Sequence, residues 1–273
     1  MIKDMQIGNK RFDMGRTHVM GILNVTPDSF SDGGSWNNLD KSLKHVEEMI
    51  RDGVAIVDVG GESTRPNYTM ISDEEEIQRV VPVIEAIKNN FDIPVSIDTY
   101  KSQVAKEACR AGADLVNDIW GLKYDPQMAQ VVKDYDKTVC IMHNRQNTDY
   151  ENFLNDWVQD LRECIQIAHN AGIEDSKIIL DPGVGFAKTY EMNLLAMKHL
   201  EDLHKLDFPV LLGASRKSVI GLTLDLPVTE REEGTLATTV MAVMKGCQFV
   251  RVHDVLANVR AIRMTEAILH AES

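Results

Sequence analysis

The sequence predicts an α/β protein built as a single (β/α)8 barrel of the TIM type, with a β-hairpin at its N-terminus. Three observations lead there. Eight short runs rich in Val, Ile and Leu alternate with eight helical patterns along the 273 residues. The runs are apolar almost throughout, as strands covered on both faces by crossover helices must be. Eight strand–helix units suit a closed barrel better than an open, doubly wound sheet.

The first 17 residues stand outside the alternation. There QIGNKRFDM sets a Gly-Asn turn between two short runs, which reads as a hairpin. Residues 1–17 are thus an extension and 18–273 the barrel domain. Strands are read at 18–25, 54–61, 93–99, 113–119, 137–143, 177–183, 208–214 and 248–254. Helices are read at 39–52, 72–90, 101–111, 125–135, 151–172, 190–206, 230–245 and 255–270. In the second helix Ile77, Val80, Val81, Ile84 and Ile87 share a face, Ser72 with Glu75 forms a capping box, and Pro82 is expected to bend the axis. In the fifth, Leu154, Trp157, Val158, Leu161, Ile165 and Ala168 form one stripe that Gly172 closes. No Pro-, Gly- or Ser-rich linker and no block of charge divides the chain, so one domain is expected.

Composition narrows the function. With 29 Lys and Arg against 42 Asp and Glu, the formal net charge of −13 argues against a nucleic-acid binder, which needs a basic stripe. No run approaches the length of a membrane span, and MIKDMQIGNKRFDMG lacks the apolar stretch of a signal peptide. Cys109, Cys140, Cys164 and Cys247 form no CxxC pair and read as reduced core thiols in a cytoplasm.

In such barrels the chemistry sits at the C-terminal ends of the strands. Here the first strand ends in Asn24, and the second leads into GGESTRP with Glu62, Thr64 and Arg65. The third ends in Asp98, the fourth in Asn117 and Asp118, the fifth in Met142 and His143, the sixth in Asp181. The seventh runs into Ser215, Arg216, Lys217 and Ser218, and the eighth carries Arg251 and His253. One such residue is readily a helix cap, as Asp98 is if it serves the helix at 101. Together they make an acceptor-rich floor (Asp98, Asn117, Asp181) and a cationic edge (Lys217, Arg251, His253). A planar ring rich in N–H donors, such as a fused aminopyrimidine, fits the floor, and a phosphate or diphosphate fits the edge. Two long loops, NVTPDSFSDGGSW and GGESTRPNYTM, are expected to close over a substrate.

These residues resemble a known family, dihydropteroate synthase. MGILNVTPDSFSDGG, GGESTRP, SIDTYKSQVA, LVNDIWG, DPGVGFAKT, LLGASRKSVIG and RVHDV match its motifs in order, over nearly the whole chain. MHNRQNTDY, after the fifth strand, departs most from the pattern. The resemblance implies a transferase of folate biosynthesis, in a family targeted by sulfonamides. It implies condensation of 6-hydroxymethyl-7,8-dihydropterin diphosphate with 4-aminobenzoate, a requirement for Mg²⁺ and a homodimer. By resemblance, Asp98, Asn117, Asp181 and Lys217 hold the pterin ring. Ile119, Met142, Phe186 and Gly213 shape its pocket, and Arg251 stacks on it. Asn24, Thr64, Arg65, Arg251 and His253 receive the diphosphate, Asn24 also as the Mg²⁺ ligand. Phe30, Thr64, Arg65, Pro66, Phe186, Lys217 and Ser218 form the 4-aminobenzoate site. Asp32, Lys217, Arg251 and His253 carry the catalysis, and Arg216 serves structure. Three rivals stay open: a pterin-binding methyltransferase domain, a Schiff-base aldolase using Lys217, and a non-enzymatic pterin-binding subunit.

Overall fold

The computed structural model describes residues 3–25, 35–62 and 70–271, and the side chains of all of these except 35–38. It opens with a two-stranded antiparallel hairpin, β1 (Asp4–Ile7) and β2 (Lys10–Asp13), in which Met5 faces Phe12. Gly8, at φ 58, turns the chain between them, where the Gly-Asn pair predicts a turn.

Eight parallel strands follow: β3 (His18–Asn24), β4 (Ile56–Gly60), β5 (Val95–Asp98), β6 (Leu115–Asp118), β7 (Thr138–Met142), β8 (Ile178–Asp181), β9 (Leu211–Leu212) and β10 (Phe249–Val252). Each pairs with the next from β3 to β8, and β10 joins β9 to β3. A parallel bridge between Leu180 and Val210, with the Leu180 N–H donating to the Pro209 carbonyl at 2.9 Å, closes the ring. The helices are α1 (Ser35–Asp52), α2 (Asp73–Asn90), α3 (Ser102–Ala111), α4 (Met128–Asp134), α5 (Phe153–Asn170), α6 (Tyr190–Lys198), α7 (Ser218–Leu224), α8 (Glu232–Met244) and α9 (Val255–Leu269).

The predicted barrel and hairpin are present, with local differences. The expected helix at 190–206 is α6 followed by a 3-10 stretch, Leu200–Leu206, that turns at Asp207 with φ 65. A short helix, α7, enters before α8, outside the eight helices read from the sequence. Strand β9 is reduced to two residues. The helix α2 runs unbroken across Pro82; the Ser72 hydroxyl caps it by accepting from the Glu75 N–H at 3.2 Å, and four acids fill its first turn. On α5 the expected stripe is buried at Trp157, Leu161, Ile165 and Ala168. All four cysteines are buried free thiols.

Period-two geometry sorts the strand side chains. The outward set, including Val57, Ile97, Val116, Ile141, Leu180 and Val250, packs beneath the helices. The inward set begins with Met20, Ile56, Leu115, Cys140, Ile179, Leu211 and Phe249. Those side chains form one cluster with Met5, Ile7, Phe12 and Met14 of the hairpin, which therefore stoppers the N-terminal end of the barrel. Two residues further along the same strands stand Ile22, Asp58, Asn117, Met142, Asp181, Gly213 and Arg251. The barrel interior thus changes from apolar to charged within a single pleat of roughly 6.6 Å.

Phe12 is 4% exposed and lies 5.8 Å from the ring of Phe249. Replacing Phe12 with Ala is expected to lower unfolding free energy in urea by about 3–5 kcal/mol, the usual cost of emptying a core aromatic. A loss below about 1 kcal/mol would mean that the hairpin is a surface flap.

Candidate active site

The charged pleat is organised around Arg251. Its Nε donates to Asp58 Oδ2 at 2.6 Å, and its Nη2 donates to Asp98 Oδ2 at 2.6 Å. Asn117 Nδ2 donates to the same Asp58 oxygen at 3.3 Å. Burial opposes the charge on Arg251, but Asp58 and Asp98 outweigh it and raise its pKa. Burial raises the Asp98 carboxyl to about 7; Arg251 pulls it down and the neighbouring Asp58 pushes it up. One oxygen on each acid, Asp58 Oδ1 and Asp98 Oδ1, is buried with no hydrogen-bond partner among the described residues. Buried acceptors of that kind invite N–H donors from a ligand.

Asp181 completes the acceptor set from β8. The Gly183 N–H donates to its Oδ1 at 2.6 Å, and burial raises its pKa against the pull of Lys217. Glycine at residue 213 leaves room for the charged groups: a Cβ there would stand 3.3 Å from Asp181 Oδ2 and push that carboxylate by a few tenths of an ångström. Lys217 precedes α7, donates to the Val184 carbonyl and holds its ammonium 4.8 Å from the Phe186 ring centre. Burial pushes the Lys217 amine down to about 8. Tyr100, Ile119 and Met142 pack with Trp120 and Phe186 into an apolar wall beside the acids. One side of the mouth is therefore greasy and flat, and the other carries fixed charge.

At the rim, His253 Nδ1 lies 2.9 Å from Ser215 Oγ, and Ser218 is exposed at the start of α7. Arg216 turns away, at φ 57, into a fork on Asp254 (Nε 3.1 Å, Nη2 2.6 Å), while its carbonyl accepts from Arg231. That is the structural role expected of it. Asn24 ends β3, with Oδ1 3.7 Å from where a Cβ on Gly60 would stand. No group of three or more His, Cys, Asp or Glu side chains among the described residues is arranged to hold a metal. A lone amide oxygen fits a hard cation such as Mg²⁺ that takes its other ligands from water and phosphate, and does not fit a caged transition metal.

The structure thus brings Asp98, Asn117, Ile119, Met142, Asp181, Phe186, Gly213, Lys217 and Arg251 to one mouth, with Asn24, Ser218 and His253 at its edge. Phe30, Asp32, Thr64, Arg65 and Pro66 lie outside the described residues. Arg251, expected on the cationic edge, has its guanidinium between two carboxylates. Asp58 was missed because it sits inside the apolar run VAIVDVGG; its position two residues beyond Ile56 was the available signal. Also missed was a buried cluster in which Lys101 Nζ donates to Glu62 Oε2 at 2.7 Å, Glu76 Oε2 at 2.8 Å and the Ile71 carbonyl at 2.9 Å. A cavity of about 280 Å³ lies at the opposite end, near Met14, Thr17 and Cys247, remote from these groups.

The family model for pterin binding enzymes matches residues 20–253. A dihydropteroate synthase of Clostridium beijerinckii is 61% identical over 267 residues, 97% of this chain and 99% of the relative. The crystal structure of a dihydropteroate synthase from Clostridium difficile, determined in the presence of pteroic acid, is 50% identical with a TM-score of 0.93, covering 95% of this chain and 100% of that one. A dihydropteroate synthase from Xanthomonas albilineans, solved with 4-aminobenzoic acid, is 36% identical with a TM-score of 0.94 and full coverage of both chains, 100% each.

Replacing Asp58 with Asn keeps its shape but removes one of the two negative partners of Arg251. The expected loss of unfolding free energy in urea is about 1–3 kcal/mol, the range for a buried hydrogen bond to a charged group. Unaltered stability would mean that Asp98 alone holds the guanidinium.

Proposed function

The chain belongs to the pterin binding enzymes and, among them, to the dihydropteroate synthases; we propose how its residues divide the work of that reaction. The enzyme is a transferase of folate biosynthesis. It joins 6-hydroxymethyl-7,8-dihydropterin diphosphate to 4-aminobenzoate and releases 7,8-dihydropteroate and diphosphate. The observation that carries the reading is the pair of buried oxygens, Asp58 Oδ1 and Asp98 Oδ1, that have no partner among the described residues, beside Asn117 and Asp181. The amino and ring N–H groups of a pterin supply the missing donors.

In this reading Asp98, Asn117 and Asp181 hold the ring edge with Lys217, while Ile119, Met142, Phe186 and Gly213 bound the pocket. Arg251, kept charged by Asp58 and Asp98, lies against the ring and its diphosphate. His253 and Asn24 receive the diphosphate, with Thr64 and Arg65. Asn24 would hold Mg²⁺, which would supply positive charge to the leaving group. The C–O bond to the diphosphate breaks with both electrons leaving on oxygen, and the positive charge at the CH2 spreads into the electron-rich ring. In this reading Asp32 stabilises that charge. The 4-aminobenzoate nitrogen, neutral at pH 7, forms the new C–N bond and then gives up a proton. Phe30, Thr64, Arg65, Pro66, Phe186, Lys217 and Ser218 hold the benzoate.

A homodimer is part of the same proposal. Supporting it, exposed apolar side chains run across neighbouring helices, with Leu194 and Leu195 on α6, Leu222 and Leu224 on α7, Met244 on α8, and Met264 and Ile268 on α9. A cytoplasmic location is supported by the four free thiols. Among the described residues no helix is long and apolar enough to cross a membrane.

Diphosphate release that requires both substrates is the direct test; release without 4-aminobenzoate, or none at all, would remove the assignment. Asp32→Ala is expected to slow the single-turnover rate by at least about tenfold while the calorimetric Kd for the pterin diphosphate holds. A normal rate would take Asp32 out of the chemistry. The pH dependence follows from Asp98, whose carboxyl is raised to about 7. A carboxyl with a raised pKa is protonated at lower pH, and its O–H then opposes a ring N–H. Affinity for free pterin is therefore expected to rise as pH climbs from about 5.5 to 7.5, and to level off once Asp98 is ionised. Fluorescence titration across that range checks this; a flat profile would refute it.

A further inference from the structure

Behind Asp181 runs a second chain of charged groups that the reaction above leaves unused. His143 follows β7 with its residue fully buried, 0% exposed. Its Nε2 lies 2.9 Å from Asp160 Oδ2 on α5, and its Nδ1 lies 2.8 Å from Lys188 Nζ. Arg145 forks onto the same carboxylate, with Nη2 3.0 Å from Oδ1 and Nε on Oδ2. The partners dictate the tautomer: Nε2 carries the proton toward the carboxylate, and Nδ1 accepts from the ammonium. Burial holds the imidazole pKa down to about 4, against Asp160, so His143 is neutral.

The other two protons of Lys188 go to main-chain oxygens, Gly183 at 2.9 Å and Phe186 at 3.0 Å. Burial pulls the Lys188 amine down to about 7; in its protonated form three donors meet three acceptors, and the 183–186 turn is wrapped around the amine. Both held residues reach the active site. The Gly183 N–H aims the Asp181 carboxylate, and Phe186 stands against Met142 and beneath Lys217. Gly183 itself has no freedom to shift or change: its φ is 69, and a Cβ would stand 1.9 Å from the His143 carbonyl oxygen. The segment 142–150, read from sequence as the least family-typical stretch, is thus tied through His143 to the floor of the pocket.

We propose that Lys188, oriented by His143, is a positioning residue for the pterin: it folds the 183–186 turn so that Asp181 and Phe186 meet the ring. The inference rests on the pterin reading of the site. Lys188→Met is expected to raise the calorimetric Kd for 6-hydroxymethylpterin, and the KM for its diphosphate, at least about tenfold, with kcat at saturation within about threefold. A split between KM and kcat separates positioning from general damage. His143 supplies a matched pair of variants. In His143→Asn an amide oxygen replaces Nδ1 and still accepts from Lys188; in His143→Leu nothing does. Both lose the Asp160 contact and share its cost to folding. Near-normal pterin affinity in the Asn variant, with a loss of about fivefold or more in the Leu variant, supports the proposal. Equal affinity in that pair, or an unaltered Kd in Lys188→Met, overturns it; if Lys188→Met does not fold, the pair decides alone. Wild-type protein that binds no pterin overturns the site reading as well, whereas normal binding with indifferent variants overturns this proposal only.

Discussion

The structure is organised by one half-buried cation. Arg251 projects into the mouth of a closed ring of strands whose next inward layer is Met, Ile, Leu and Phe, and only part of its side chain reaches solvent. A guanidinium in that position is tenable only with carboxylates against it, and Asp58 and Asp98 supply them at 2.6 Å each. The acids are in turn tenable only because of the arginine: burial alone drives Asp98 toward the neutral form. Neither sign survives without the other, so the ring of charge must be assembled as a unit by strands β4, β5 and β10.

Assembly leaves a residue of unmet demand, and that is the basis of recognition. Arg251 and Asn117 satisfy one oxygen of Asp58, and Arg251 one of Asp98; the remaining two are buried and find no partner among the described residues. Each open acceptor costs the free protein on the order of 1–3 kcal/mol, which a donor-rich ring returns on binding. An analogue lacking those N–H groups leaves the penalty in place. Selectivity for the pterin edge therefore follows from how the empty site is balanced, with Tyr100, Ile119 and Met142 adding a flat apolar surface for the ring.

Two further cations act one layer out. Lys101 draws together Glu62, Glu76 and the Ile71 carbonyl, joining the two described ends on either side of residues 63–69. Lys188 gathers two carbonyls and His143 behind Asp181. Lys101 spends its donors on Glu62, Ile71 and Glu76, and Lys188 joins the 183–186 turn to His143. A rigid barrel rim is in this way extended into its loops by point charges that several segments share.

Much of this was legible in the chain. The alternation of apolar runs and amphipathic helices specified a closed barrel, because strands covered on both faces must be apolar and eight crossovers close the ring. Asp98, Asn117 and Asp181 announced themselves by ending apolar runs, where a side chain meets the barrel mouth. The Gly-Asn turn marked the hairpin. What the chain does not encode locally is which side chain meets which. Asp58 lies within an apolar run and gains its meaning only when strand register sets it beside Arg251, 193 residues away. The hairpin's task as a stopper, the saturation of Lys188 by His143 and two carbonyls, and the turn of Arg216 away from the site toward Asp254 are likewise contacts across distant segments. Local patterning determines elements and faces, since these follow from the periods of helix and strand; pairing of charges depends on closure of the barrel, which only the tertiary structure provides.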